Sequence, residues 1–160
     1  MKDGAPANWM YIDSWYWIGP FPNPERININ KKFPPESTVD LDATYIGKYG
    51  RIVGWQFVQS ARPEAAPHNA EPYGIWYGYT ELYFDEPRSL WMAIGSDDQS
   101  KIWVNDQLIW QSVASHKAWN MAEGYRKVFF KKGRNRILCR LENGHLQMGV
   151  SLVICTLSEQ

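Results

Sequence analysis

Asp97 and Asp98 stand side by side in Gly95-Ser96-Asp97-Asp98-Gln99-Ser100, a tight acidic loop between two apolar runs. Adjacent carboxylates are hard oxygen donors of the kind Ca²⁺ takes, although a calcium site asks for roughly six to eight oxygens. The same two groups can instead accept backbone N–H bonds and tie the loop together. Both readings stay open from the residues alone. Close behind come Trp103 and Trp110, and further on Trp119 and Asn120 in the connection 112–124. An exposed indole can stack on the C–H face of a sugar ring while neighbouring polar groups bond its hydroxyls. Each indole also has a structural use: Trp103 and Trp110 as core residues, Trp119 as the pin of its own loop.

Signals for catalysis are few. His68, His116 and His145 fall in three separate loops with no HExxH or CxxC spacing. There is no Gly-x-Ser-x-Gly elbow and no Walker loop. A glycosidase needs two carboxylates roughly 5–9.5 Å apart across a cleft, and no spacing promotes Glu81, Glu123 or Glu142 to that role. The expectation is a binding module rather than an enzyme. Arg126, Lys127, Lys131, Lys132, Arg134, Arg136 and Arg140 make a basic stretch, and a charged exterior that discourages edge pairing accounts for it. Lys131, Lys132 and Arg134 could also meet anionic sugars such as uronates.

The elements that hold these residues read as strands. Runs at 14–19, 52–59, 73–84, 89–95, 101–104, 107–111, 125–130, 134–142 and 147–156 are β-branched or aromatic and bounded by turn residues. The stretch 21–50, with Pro34-Pro35, reads as a long irregular excursion containing one helical turn near 43–46, and 61–72 as a proline-rich surface loop. Gly74 and Gly78 suggest that strand 73–84 bends or bulges. The connections 131–133 and 143–145 are short, which predicts antiparallel neighbours. With Asn105-Asp106 as a two-residue turn, Val104 pairs with Gln107, Trp103 with Leu108, Ile102 with Ile109 and Lys101 with Trp110. Alternation then puts Lys101, Trp103, Leu108 and Trp110 on one face and Ile102, Val104 and Ile109 on the other. The second set is the more uniformly apolar, so it should point inward and leave Trp103 and Trp110 outward. The fold class is all-β: an antiparallel β-sandwich of jelly-roll type. The expected organisation is an arm over 1–12, one sandwich domain over 13–156 and a tail over 157–160.

At 160 residues a single domain of this kind buries roughly 68–70% of its unfolded surface, enough for a real core. Seventeen basic and seventeen acidic residues cancel, so no net field recruits nucleic acid or an anionic membrane. No run of 18 apolar residues exists to span a bilayer. The N-terminus lacks the apolar segment of a signal peptide, so the chain reads as either cytosolic or a mature or excised module, and the excised module is expected because small sandwiches are often parts of longer chains. Cys139 and Cys155 would lie several residues out of register across a hairpin at 143–145, so both are expected free. Nine Trp, nine Tyr and six Phe exceed what a core of this size needs and leave some rings for a surface.

Three sets of residues carry a family resemblance. Gly95-Ser96-Asp97-Asp98, followed by Ser100, Ile102-Trp103-Val104-Asn105 and Leu108-Ile109, resembles the hallmark of protective-antigen-type lectin modules. Phe129-Phe130-Lys131-Lys132-Gly133-Arg134-Asn135 and its continuation to Asn143 is similar to the Lys-Gly-x-Asn hairpin of galactose-binding-domain-like modules. Trp17-Ile18-Gly19-Pro20-Phe21, Phe33-Pro34-Pro35-Glu36, Val39-Asp40-Leu41 and Trp55 resemble the start of bacterial accessory sandwiches. Together they cover about residues 15–155. The resemblance implies a non-catalytic carbohydrate-binding module, linked to catalytic or surface domains and secreted, periplasmic or at the cell surface. It further implies Trp103, Trp110, Trp119, Asn120, Asp97 and Asp98 as its contacts with a glycan or small saccharide, and Asp97 and Asp98 as ligands of a bridging Ca²⁺. The alternative is a structural domain that packs its tryptophans against a neighbouring domain or subunit.

Overall fold

A computed structural model describes residues 8–112, 117–145 and 147–155. Its strands form an antiparallel β-sandwich. The larger sheet runs β5 (Gln56–Gln59), β2 (Ser14–Pro22), β6 (Gly74–Phe84), β11 (Gly133–Asn143), β8 (Ser100–Val104), β9 (Gln107–Gln111). The smaller runs β1 (Trp9–Tyr11), β12 (Gly149–Cys155), β7 (Arg88–Asp97), β10 (Gly124–Phe130). A separate ladder pairs β3 (Thr44–Ile46) with β4 (Ile52–Gly54), and among the described residues one α-helical turn, α1, spans Pro34–Ser37. Among the described residues no helix is long and apolar enough to cross a membrane.

Period-two alternation builds the core between the sheets. Trp76 faces inward from β6, Met92 and Ile94 from β7, Ile102 from β8, and Ile137 and Leu141 from β11, all fully buried. Each such side chain contributes roughly 1.5–3 kcal/mol by leaving water. A second, smaller core lies on the other side of the large sheet. There Ile18, Phe21, Ile75 and Tyr77 are covered by Phe33 and Val53 from the excursion after β2. Phe21 and Phe33 stack with centroids 4.9 Å apart. The excursion is therefore a lid over half of an outer sheet face.

Several sequence expectations are corrected. The helical turn expected near 43–46 is instead strand β3. Thr44, Tyr45 and Ile46 suit a pleated ladder, and the helical turn forms where Pro34 and Pro35 occupy its first positions. The strand expected over 52–59 divides at Trp55 into β4 and β5. Trp9–Tyr11, read as part of an arm, pairs with β12, while 157–160 lies outside the described residues.

The connections 131–133 and 143–145 do not close hairpins. They carry the chain from one sheet to the other, since β10 and β12 flank β7 in the small sheet while β11 lies between β6 and β8 in the large one. Sheets stack about 10 Å apart, a span that about three extended residues cover, so loop length cannot separate an arch from a hairpin. The cysteines are both free, as expected, but because Cys139 and Cys155 belong to different sheets. Gly78 marks no bulge: a Cβ there would meet the Trp17 ring at 2.8 Å, and the register shift falls in β2 between Ile18 and Phe21.

Candidate functional site

The acidic corner is tied up internally. Asp98 is buried. Its Oδ2 accepts the Gly144 N–H at 2.8 Å and its Oδ1 the Lys117 N–H at 3.4 Å, while its own N–H donates to the Glu142 carbonyl at 3.2 Å. The Lys117 ammonium bonds Glu123 Oε2 at 2.6 Å, Ser96 Oγ at 3.0 Å and the Ser96 carbonyl. Asp97 is half-buried at the end of β7. Burial first, and then the Asp98 and Glu64 charges, push its carboxyl up to about 6. Two carboxylates, one of them spent on backbone donors, fall short of the six to eight oxygens that calcium takes. Among the described residues no group of three or more acidic, cysteine or histidine side chains is placed to hold a metal ion. This donor set does not fit Ca²⁺.

Trp119 and Asn120 belong to the same corner. Trp119 Nε1 donates to Ser151 Oγ at 2.8 Å, and Asn120 Oδ1 accepts the Ala122 N–H at 3.0 Å. The Asn120 carbonyl lies so close over Gly95 that a Cβ there would stand 1.8 Å from it. His116 lies outside the described residues.

Trp110 and Trp103 part company. The hairpin keeps the expected pairs Val104↔Gln107 and Trp103↔Leu108, and positive φ at Asn105 (49°) and Asp106 (67°) makes the two-residue turn. A bulge at Ile109 then pairs Ile102 with Trp110 rather than with Ile109. One extra residue turns every later side chain to the opposite face. Trp110 thus points into the core, 8% exposed, with Gly124 against its ring and Arg126 4.8 Å over it. It is no part of a surface platform. Trp103 faces outward and stays half-buried.

Around Trp103 the outer face of the large sheet carries a continuous cross-strand row: Phe57, Tyr16, Tyr79, Leu138, Trp103, Leu108. The lid covers the row only in part. Where the lid's edge meets the row there is an open cleft of about 350 Å³, within the roughly 300–1,000 Å³ typical of small-molecule sites. It is lined by Tyr79, Leu138 and Trp103 of the row, Pro35–Val39 of the lid, and Arg136 and Asp106.

Each charged group here has a partner. Arg136 Nη2 bonds Asp106 Oδ2 at 2.5 Å. Glu36 Oε2 accepts Arg140 Nη1 and the Tyr77 hydroxyl, both at 2.7 Å. The Tyr79 hydroxyl donates to Glu81 Oε1 at 2.7 Å, and burial followed by that carboxylate pushes the phenol up to about 12. The lid is stapled by Arg140, whose buried guanidinium also donates to the carbonyls of Asn28 (3.0 Å), Ile29 (2.8 Å) and Lys31.

The candidate contacts therefore divide. Asp97, Asp98, Trp119 and Asn120 share a corner at the end of β7, Trp110 is in the core, and only Trp103 lines the cleft. Sequence reasoning missed Tyr79, Leu138, Arg136 and the wall Pro35–Val39. For the three strand residues the available signal was the outward alternation of β6 and β11, which needs the strand order to be useful, while Pro35, Glu36 and Val39 stood in the family resemblance without a site role.

The fold recurs inside larger proteins. No family model and no curated protein matches this chain. Among solved structures, the Faecalibacterium prausnitzii β-glucuronidase is 12% identical with a TM-score of 0.50, over 89% of this chain and 22% of that one. The Ruminococcus gnavus β-glucuronidase is 11% identical with a TM-score of 0.50, over 92% of this chain and 29% of that one. At such identity the likeness is one of fold, and this chain spans less than a third of either neighbour's length.

Proposed function

We propose that this chain is a non-catalytic carbohydrate-binding module of galactose-binding-domain-like type, and that the Trp103 cleft is its binding site. The partly exposed indole of Trp103, which lines a polar cleft, carries the reading. A sugar ring stacks on the indole while Arg136, Asp106, Ser37 and Thr38 bond its hydroxyls. The carboxylates in and beside the cleft, Glu36 and Asp106, are each held by an arginine, an arrangement suited to hydrogen bonding rather than to acid–base work. Similarity in fold to part of two longer β-glucuronidases supports a linked catalytic or surface domain, whose local concentration on a glycan the module would raise.

Titration of the domain against a panel of neutral and acidic oligosaccharides, with and without EDTA, tests this. Binding is expected, with no response to the chelator. Trp103→Ala should weaken it about tenfold or more while moving Tm little. Silence across the panel, or a Trp103→Ala variant that binds like its parent, would sink the proposal.

A second reading has its own observation. Trp9, Trp91, Tyr125 and Phe129 are exposed on the outer face of the small sheet, an apolar patch of the sort that meets another protein surface. Self-association in sedimentation that Trp91→Ser removes, together with an absence of glycan binding, would favour a structural domain instead.

A further inference from the structure

Asp106 is the second residue of the two-residue turn between β8 and β9, with φ at 67°. Glycine adopts that conformation with no steric cost, so turn geometry does not by itself call for a carboxylate. Stability does not call for one either. Asp106 pairs with Arg136, but the two side chains are 79% and 41% exposed, and exposed pairs add little. What the two residues share is the Trp103 cleft, which both line.

The pair is only half used. Asp106 Oδ2 meets Arg136 Nη2, while Asp106 Oδ1 and the other guanidinium N–H groups bond nothing among the described residues. An acceptor and several donors thus stand side by side in the cleft lining. Two adjacent sugar hydroxyls match that pattern, because each hydroxyl both donates and accepts. A carboxylate has no proton to give Asp106 and brings like charge towards it.

The other charges around the cleft point the same way. Its lining holds two carboxylates, Glu36 and Asp106, and one cation, Arg136. Arg140 neutralises Glu36 from a buried position and is spent on it, on the Tyr77 hydroxyl and on lid carbonyls. Glu81 bonds the Tyr79 hydroxyl and pairs with Arg134 at 3.6 Å. Lys101, two residues from Trp103 on the same face of β8, has no ion-pair partner among the described residues, but it is not part of the lining.

We propose that the cleft selects uncharged sugars over uronic acids, and that Asp106 sets this preference by keeping Arg136 from acting as a free cation. The proposal rests on the carbohydrate reading above and adds a ligand class and a specificity-determining residue to it. One of two adjacent hydroxyls donates to Asp106 Oδ1, the other accepts from Arg136, and the C–H face of the ring lies against Trp103.

Neutral manno- and galacto-oligosaccharides of one to four units, each set beside the uronic chain of the same linkage, test it by calorimetric titration. The neutral member of a pair should bind about fivefold or more tightly than its uronic partner. Asp106→Asn keeps a side chain that suits the turn, so Tm should hold or rise. Its neutral affinity should fall about threefold and its uronic affinity rise about fivefold, inverting the preference. Adding Arg136→Gln to that variant should abolish the uronic gain. If Asp106→Asn instead shifts both members of a pair alike, or neither, the role of Asp106 is overturned. So it is if the parent binds uronic chains as tightly as neutral ones, in which case Lys101→Gln tells whether that ammonium is their anchor. Either result leaves the Trp103 site standing. Failure of every chain to bind removes both proposals.

Discussion

The acidic corner at the end of β7 and the cleft at the edge of the lid are built from similar residue types and behave oppositely. In the corner, Asp98, Lys117, Ser96 and Glu123 bond one another or the backbone, and Trp119 is pinned to Ser151. In the cleft, Trp103 is only partly covered and lines an open volume of about 350 Å³. Residue type alone does not make a binding site. Both regions bond their charged groups internally, and what separates them is that the cleft leaves an indole partly uncovered beside an open volume.

Three variants sharpen that contrast. The largest effect belongs to Arg140→Ala. It leaves Glu36 buried without its cation and removes the staple of the lid, and breaking a buried pair costs about 3–5 kcal/mol. Urea denaturation should register the loss, and saccharide binding should disappear with the lid. Unchanged stability would mean that the lid is held by its apolar contacts alone. Next comes Gly95→Ala, whose Cβ runs into the Asn120 carbonyl. Overpacking against backbone costs about 1–3 kcal/mol. The folded variant should bind saccharide like its parent, because the corner and the cleft lie apart. A parallel fall in affinity would break that separation.

The smallest effect concerns pH. Asp97 has a folded-state carboxyl near 6, above the unfolded value of 3.8. The folded state therefore holds the proton more tightly, and stability falls as pH rises from about 4 to about 6. Asp97→Asn should flatten this part of the profile and raise the denaturation midpoint at neutral pH. A neutral-pH midpoint that drops in the variant would show that the ionised carboxylate stabilises the corner instead.

Much of the fold was legible because alternation is strong in these strands. Ile102 and Val104 were expected inward and are buried, and Trp103 was expected outward and is. Asn135 of the Lys-Gly-x-Asn segment shows why that motif is informative. Its buried amide bonds the Lys131 carbonyl and N–H and the side chain of Asn105, which fastens the arch into β11 to the β8–β9 turn. Two things were not legible. A single extra residue at Ile109 reverses Trp110 without altering the pattern of residue types. Strand order, which brings Pro35 beside Trp103, depends on arches whose loops resemble those of hairpins.

That fastening at Asn105 also bears on thermodynamics. The Asn105 N–H and side-chain Oδ1 engage the Arg136 carbonyl and N–H, each at 2.9 Å, so the tip of the β8–β9 hairpin is clamped before any guest arrives. Preorganisation of this sort spares an incoming molecule the entropy of ordering its host. Discrimination among guests is then governed by how well their hydroxyls match fixed positions, and little by how far the protein bends to meet them.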